Sequence, residues 1–323
     1  MSKSNTPIIK HIPRFLEYIE VEKGLSPVTS RNYHNFLLLF INWLKDKKLS
    51  DLRPHELSTD HIWDYRLYLS RKKEKGGGSQ FIKKTTQSYY LIALRALLNY
   101  FTDQDIICLP AEKIKLPKLT EKDKQIKFLK VDQIEKLLNM PDTATPSGLR
   151  DKAILEVLFS TGLRVSELVS LNIDQFNKNN LLKNKFTDQE LSIPGKGGSV
   201  RTIYFSNRSL KCLATYLKTR NDLLTPLFIN YNPAENEKDD RRLTARSIER
   251  LVKKYNVMAG LPVDTTPHTL RHSYATDLLE QGADLRSVQE LLGHKNIATT
   301  QIYTHVTNPH LKDVHRKFHS GSR

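Results

Sequence analysis

Cysteine is nearly missing from this chain: its 323 residues include two, Cys108 and Cys212. Two thiols so far apart exclude a disulfide-stapled scaffold and a cysteine-built zinc site, and they fit a reducing compartment. Long apolar stretches are missing as well. The longest run, Phe36 to Ile41, falls far short of the ~18 residues that suggest a membrane span. The opening MSKSNTPIIKHIPR lacks the apolar centre of a secretory signal. There is no phosphate-cradling glycine loop, no dinucleotide fingerprint and no acidic metal cluster, so no metal or cofactor is expected. Acid is in short supply: 35 Asp+Glu against 51 Lys+Arg leave a formal charge of +16. That excess points to a polyanion, nucleic acid before membrane, because the basic residues are spread along the chain rather than gathered on one amphipathic helix. Hydrophobic residues at 38% suffice for a packed core and exclude wholesale disorder. The expectation is a cytoplasmic protein of two domains.

The first hundred residues read as helices. Ile8, Ile12, Phe15 and Ile19 recur at helical steps. Ser26 and Pro27 mark a helix start, a capping hydroxyl followed by proline at the first position. Tyr33, Phe36, Phe40 and Leu44 form the next stripe, with Leu37 beside it. A third helix begins at Thr59 or Asp60 and buries Ile62, Tyr65 and Leu69, and a fourth presents Tyr90, Leu94, Leu97, Leu98 and Phe101. Together these predict a four-helix bundle over residues 1–112. The stretch 71–84, RKKEKGGGSQFIKK, reads as a solvated loop or as an arm for a phosphate backbone. Residues 113–127, lysine-rich and low in apolar residues, with Pro117 within them and Pro110 just before, read as a linker.

Residues 128–323 are mixed. Ile134, Leu137 and Leu138 mark one helix, and Ala153, Ile154, Val157 and Leu158 another that Gly162 terminates. Two short strands, 191–193 and 200–204, flank Pro194-Gly-Lys-Gly-Gly-Ser199 as a β-hairpin. Helices follow at 206–219, 245–258, 267–281, 285–292 and 297–305. The fold class is mainly α with a small antiparallel β-sheet.

Six residues stand out chemically. Arg164 opens a helical turn, where the dipole prefers anions, so it makes sense with an anion between it and the free N–H groups. Lys196, among the hairpin glycines, can reach into a substrate and deliver a proton. Pro267 suits a first helical position, which sets His268 and Arg271 three apart on one face, a pairing suited to phosphate binding and proton transfer. Gly293 ends a helix and releases His294, and nine residues on lies Tyr303. Arginines neutralise the oxygens of a phosphorane-like transition state, histidine and lysine move protons, and a tyrosine hydroxyl can hold the phosphate covalently. The set matches metal-free phosphodiester transfer.

STGLRVSEL, the GKG hairpin, HTLRHSYATDLLEQGADLRSVQELLGH and TTQIYTHV resemble, in order, the tyrosine recombinase (phage integrase) family, and within it the Xer-like site-specific recombinases. The resemblance implies an N-terminal SAM-like core-binding domain and an α+β catalytic domain. It implies catalytic places for Arg164, Lys196, His268, Arg271, His294 and the nucleophile Tyr303, with Glu167 supporting. It further implies a two-domain clamp on double-stranded DNA, a 3′-phosphotyrosyl intermediate, a Holliday junction, and a homotetramer or a two-plus-two assembly with a paralogue. The expected role is chromosome or plasmid dimer resolution. The segments 71–84 and 177–189 are longer than the compact Xer pattern and keep a mobile-element integrase in view, while the absence of an arm-binding domain ahead of the bundle favours the Xer-like type. A DNA-binding relative without catalysis and a type IB topoisomerase are the rival readings. In the tail, residues 309–323, Leu311, Val314 and Phe318 form a stripe too short to stand alone, which needs a groove: the resemblance implies one on a neighbouring protomer, and the alternative is one on its own domain.

Overall fold

The computed structural model describes residues 1–73, 81–120, 127–177, 181, 190–194, 200–232 and 240–293. The chain folds as two compact units, Met1–Gln125 and Ile126–Arg323.

The first unit holds α1 (Ile8–Val21), α2 (Pro27–Asp46), α3 (Thr59–Arg71) and α4 (Lys84–Asp103). Two of these starts are fixed by hydroxyl caps. The Thr29 N–H donates to Ser26 Oγ with Pro27 at the first helical position, and the His61 N–H donates to Ser58 Oγ. Each cap satisfies a donor that the first turn would otherwise leave open. Ile8, Ile12, Phe15 and Ile19 are buried along α1, against Leu37, Phe40 and Leu44 of α2 and Leu94, Leu97 and Phe101 of α4. The α2 stripe lies to one side of the expected one: Ile41 and Trp43 are buried, whereas Tyr33 and Phe36 are only half-buried. The reason is that α2 packs on both α1 and α4, which widens its inward face beyond a single line of residues. Tyr90, expected in the core, sits half-buried and edge-on to Phe36. After the short 3-10 turn Ala111–Lys113 the chain folds back. Ile114 is 1% exposed and Leu116 packs on the same core, so packing in this unit runs past residue 112 into the stretch read as linker.

The second unit holds α5 (Val131–Leu138), α6 (Pro146–Thr161), α7 (Val165–Ser170), strands β1 (Glu190–Pro194) and β2 (Val200–Tyr204), α8 (Asn207–Lys218), α9 (Ala245–Met258), α10 (Pro267–Glu280) and α11 (Leu285–Leu292). Its centre is α6. Ala153, Ile154, Leu155, Val157 and Leu158 are all buried, a helix apolar on most sides and therefore enclosed, here by α8 and α10. The strands pair antiparallel from Glu190↔Tyr204 to Pro194↔Val200, and Ile193 and Ile203 point into the core. Val288 and Leu292 of α11 close against Ala275 and Leu279 of α10. Leu129 begins this core, its N–H donating to Ser273 Oγ of α10 at 2.8 Å. The hairpin turn with Lys196 and the expected helix at 297–305 lie outside the described residues. No helix among the described residues is long and apolar enough to cross a membrane.

Candidate active site

The site is assembled where α6 ends and α7, α10 and α11 meet β2. Gly162 terminates α6 in the left-handed region, φ +59, a conformation that glycine adopts without cost. A Cβ there would stand 2.5 Å from Cδ1 of Tyr274 on α10, so the position needs glycine for packing as well. Two residues on, Arg164 is the N-cap residue of α7, with extended backbone. This is one position earlier than the first-turn placement read from the sequence, and the anion beside it is a protein group, Glu167. The carboxylate accepts the Arg164 backbone N–H at 2.8 Å and its Nη1 at 2.9 Å.

Glu167 has a second cation that the sequence motifs did not single out. Arg201, on β2, donates from Nη1 to Oε1 at 2.9 Å and from Nη2 to Oε2 at 2.6 Å. A charged residue in a short strand reads as solvent-facing, yet Arg201 shares the inward face of Ile203 and its side chain is 7% exposed. Burial alone pushes the Glu167 carboxyl up. The hydrogen bonds from Arg201 and from the Arg164 backbone and side chain, with the charge of Arg201, outweigh burial and hold it down at about 2.

On α10 the expected start is in place. Thr266 Oγ1 accepts the Thr269 N–H and Pro267 is the first helical residue. His268 and Arg271 both line one groove with Arg164. Arg271 is buried, its Nη1 on the Gly162 carbonyl and its Nη2 on the Leu292 carbonyl, both at 2.5 Å. Burial, then the charges of Arg271 and Arg164, lowers the His268 pKa below 6.5, so the ring is mainly neutral at pH 7 and fit to accept a proton. His272 sits edge-on to His268, ring centroids 4.3 Å apart. Among the described residues no group of three His, Cys, Asp or Glu side chains is placed to share a metal ion.

The last carbonyls of α11 are each held by a guanidinium: Leu291 by Arg201 Nε at 3.2 Å, Leu292 by Arg271, and Gly293 by Arg164 Nη2 at 3.4 Å. Helix C-termini leave these acceptors open and favour cations. The groove in front, about 930 Å³, is also lined by Arg246, Arg250 and Lys253 of α9, with Glu249 and Asp264 as its acidic members. The three bases recur at four and three residues, one helix face, a signal that was present in the sequence but unremarkable without the fold. The structure thus brings Arg164, Glu167, His268 and Arg271 together. Lys196, His294 and Tyr303 lie outside the described residues.

The second unit is thus a mainly helical domain with a two-stranded sheet whose basic groove, with Arg164, His268 and Arg271 on its lining, is suited to an anion such as a phosphate. The match to the phage integrase family spans residues 127–310, and that to the phage integrase N-terminal SAM-like domain spans 12–105. The chain belongs to the phage integrase family, the tyrosine recombinases. It is 38% identical to tyrosine recombinase XerD of Listeria innocua over 320 residues, covering 95% of this chain and 98% of the relative. It is 34% identical to tyrosine recombinase XerC of Pelotomaculum thermopropionicum over 328 residues, covering 97% and 99%. The fold matches XerH site-specific recombinase, solved bound to a palindromic difH substrate, with a TM-score of 0.73 at 20% identity over 98% of each chain. It also matches a lambda integrase dimer on a core site, with a TM-score of 0.65 at 17% identity over 91% and 97%.

Proposed function

We propose that this chain cuts and rejoins strands of duplex DNA at a specific site, as an Xer-like recombinase. The observation that carries the reading is the convergence of Arg164, His268 and Arg271 on one basic groove, in a chain whose family uses such groups on a phosphodiester. Arg164 uses two N–H groups on Glu167 and Gly293 and is 36% exposed. A guanidinium has five donors, so it has further N–H groups to offer a non-bridging phosphate oxygen. Arg271, buried, lines the same groove.

In this reading Tyr303 Oη attacks phosphorus. An O–P bond forms to the tyrosine, the bond to the 5′ oxygen breaks, and the strand is left with a 3′-phosphotyrosyl link. Neutral His268 takes the phenol proton and Lys196 protonates the leaving 5′ oxygen, each worth about 10²–10⁴-fold in such chemistry. Arg164, Arg271 and His294 face the charge that builds on the phosphorane. A partner strand's 5′ hydroxyl then reverses the step through a Holliday junction. Bond energy is retained in the phosphotyrosine. Four protomers, or two of this chain and two of a paralogue, join two sites, with the tail 309–323 docked on the neighbour. The work is done in the cytoplasm and serves chromosome or plasmid dimer resolution.

The test is to mix the protein with fragmented genomic DNA of its host, with EDTA present and no ATP, and to denature with detergent. The expected result is protein bound covalently to 3′ strand ends, enriched for one recoverable sequence. Complexes that all dissociate on denaturation would refute catalysis and leave a DNA-binding relative.

A further inference from the structure

We propose that Arg201, a β2 residue outside the six-residue catalytic set, is a positioning residue for strand cleavage. It would tie Glu167, and through it Arg164, to the end of α11 from which the chain runs on to His294. The inference rests on the recombinase reading above.

Three observations support it. The first is how the guanidinium is used. Both Nη atoms hold the two oxygens of Glu167, and Nε holds the Leu291 carbonyl. One rigid fork therefore fixes a carboxylate and a helix end to each other. Lysine carries a single nitrogen and cannot make both connections in this geometry.

The second is fit. A Cβ built on Gly293 would lie 2.6 Å from Arg201 Cδ and 3.3 Å from its Nε and Nη1. The arginine stem therefore fills the notch that a glycine at the α11 C-cap leaves open. Gly293 itself has φ +63, so the helix end and the arginine are shaped to each other.

The third is placement. Arg164 and Arg271 line the groove, whereas Nε, Nη1 and Nη2 of Arg201 all donate to protein acceptors, so its charge serves the protein. It pairs with Ile193 across the hairpin and lies five positions after Lys196. One side chain thus joins the strand leaving the Lys196 turn, the carboxylate under Arg164, and the helix end before His294. Misplacement of catalytic groups by about 1 Å can cost on the order of 10²-fold in rate.

The experiment uses full-length protein and a nicked duplex carrying the sequence recovered by trapping. Wild type, Arg201→Lys, Arg201→Ala, Glu167→Gln and the Ala/Gln double variant are compared for site affinity, single-turnover formation of the covalent complex at saturating protein, and thermal midpoint. Expected for Arg201→Ala are affinity within about threefold of wild type and cleavage slowed on the order of 10²-fold. Arg201→Lys should recover less than tenfold of that loss, and the double variant should be no slower than Arg201→Ala. Cleavage by Arg201→Ala should also show a second acid-side loss, from protonation of Glu167, beyond the one that protonation of His268 gives wild type. The cations facing Glu167 fall from two, Arg201 on β2 and Arg164 on its own segment, to one.

Full rescue by lysine, or affinity and cleavage falling in parallel with the folded fraction, would overturn the inference. Should the alanine variant fail to fold, Arg201→Lys at a temperature where it is folded decides, since wild-type cleavage by it is equally fatal. Failure of wild type to form any covalent complex would overturn the recombinase reading instead.

Discussion

Replacing Glu167 with glutamine should expose how strongly the site depends on that carboxylate. The side chain is 9% exposed, so solvent screens its ion pairs little. Its pKa of about 2 against the ordinary 4.5 corresponds to about 3 kcal/mol favouring the folded state, at 1.36 kcal/mol per tenfold change. Breaking a buried pair by removing one partner independently suggests ~3–5 kcal/mol. Because the folded pKa is depressed, the stabilisation is fully present above pH 4.5 and is lost as pH falls from 4.5 towards 2. Glu167→Gln should therefore be less stable than wild type by about 3 kcal/mol at pH 7 and by only about 1 kcal/mol at pH 3. For a unit of this size the neutral-pH loss corresponds to a melting point lower by about 6–12 °C. Urea denaturation of both proteins at the two pH values measures it. A stability gap equal at pH 7 and pH 3, or no gap at either, would refute the claim that two arginines hold this carboxylate ionised.

Gly162→Ala should cost more than the ~1 kcal/mol of a left-handed alanine. Its Cβ would also meet the Tyr274 ring at 2.5 Å, and urea denaturation should show a loss of at least about 2 kcal/mol. Lys196→Ala should slow cleavage of an ordinary site by on the order of 10²–10⁴-fold, yet cleave a site with a 5′-bridging sulfur at near wild-type speed, because a thiolate leaves without a proton. A sulfur substrate that gives no rescue would assign Lys196 a charge or positioning role.

Much of this was legible before any coordinates. The α1 face, the Ser26 cap, the Pro267 helix start and the glycine stops at 162 and 293 follow from local rules about period and termini, and those rules do not depend on distant chain. Arg164, His268 and Arg271 were legible because their motifs carry unusual residue types at helix starts. What the sequence hid is non-local. Arg201 has the inward parity of Ile203, but a charge there reads as exposed until the α11 end and Glu167 arrive as its partners. The shifted stripe on α2 has the same origin, since a helix touched by two neighbours buries a wider arc than one period predicts. Ile114 could not be separated from its lysine-rich surroundings by composition, although its own apolar side chain closes the first core.

The central claim is that Tyr303 forms the bond to DNA. Protein trapped on its recovered site should be digested with nuclease and protease, and the nucleotide-bearing peptide sequenced by mass spectrometry. The account predicts a single modified peptide, TTQIYTHV within it, with a 3′-linked phosphate on Tyr303. A nucleotide on any other residue, or a 5′ linkage, would contradict it.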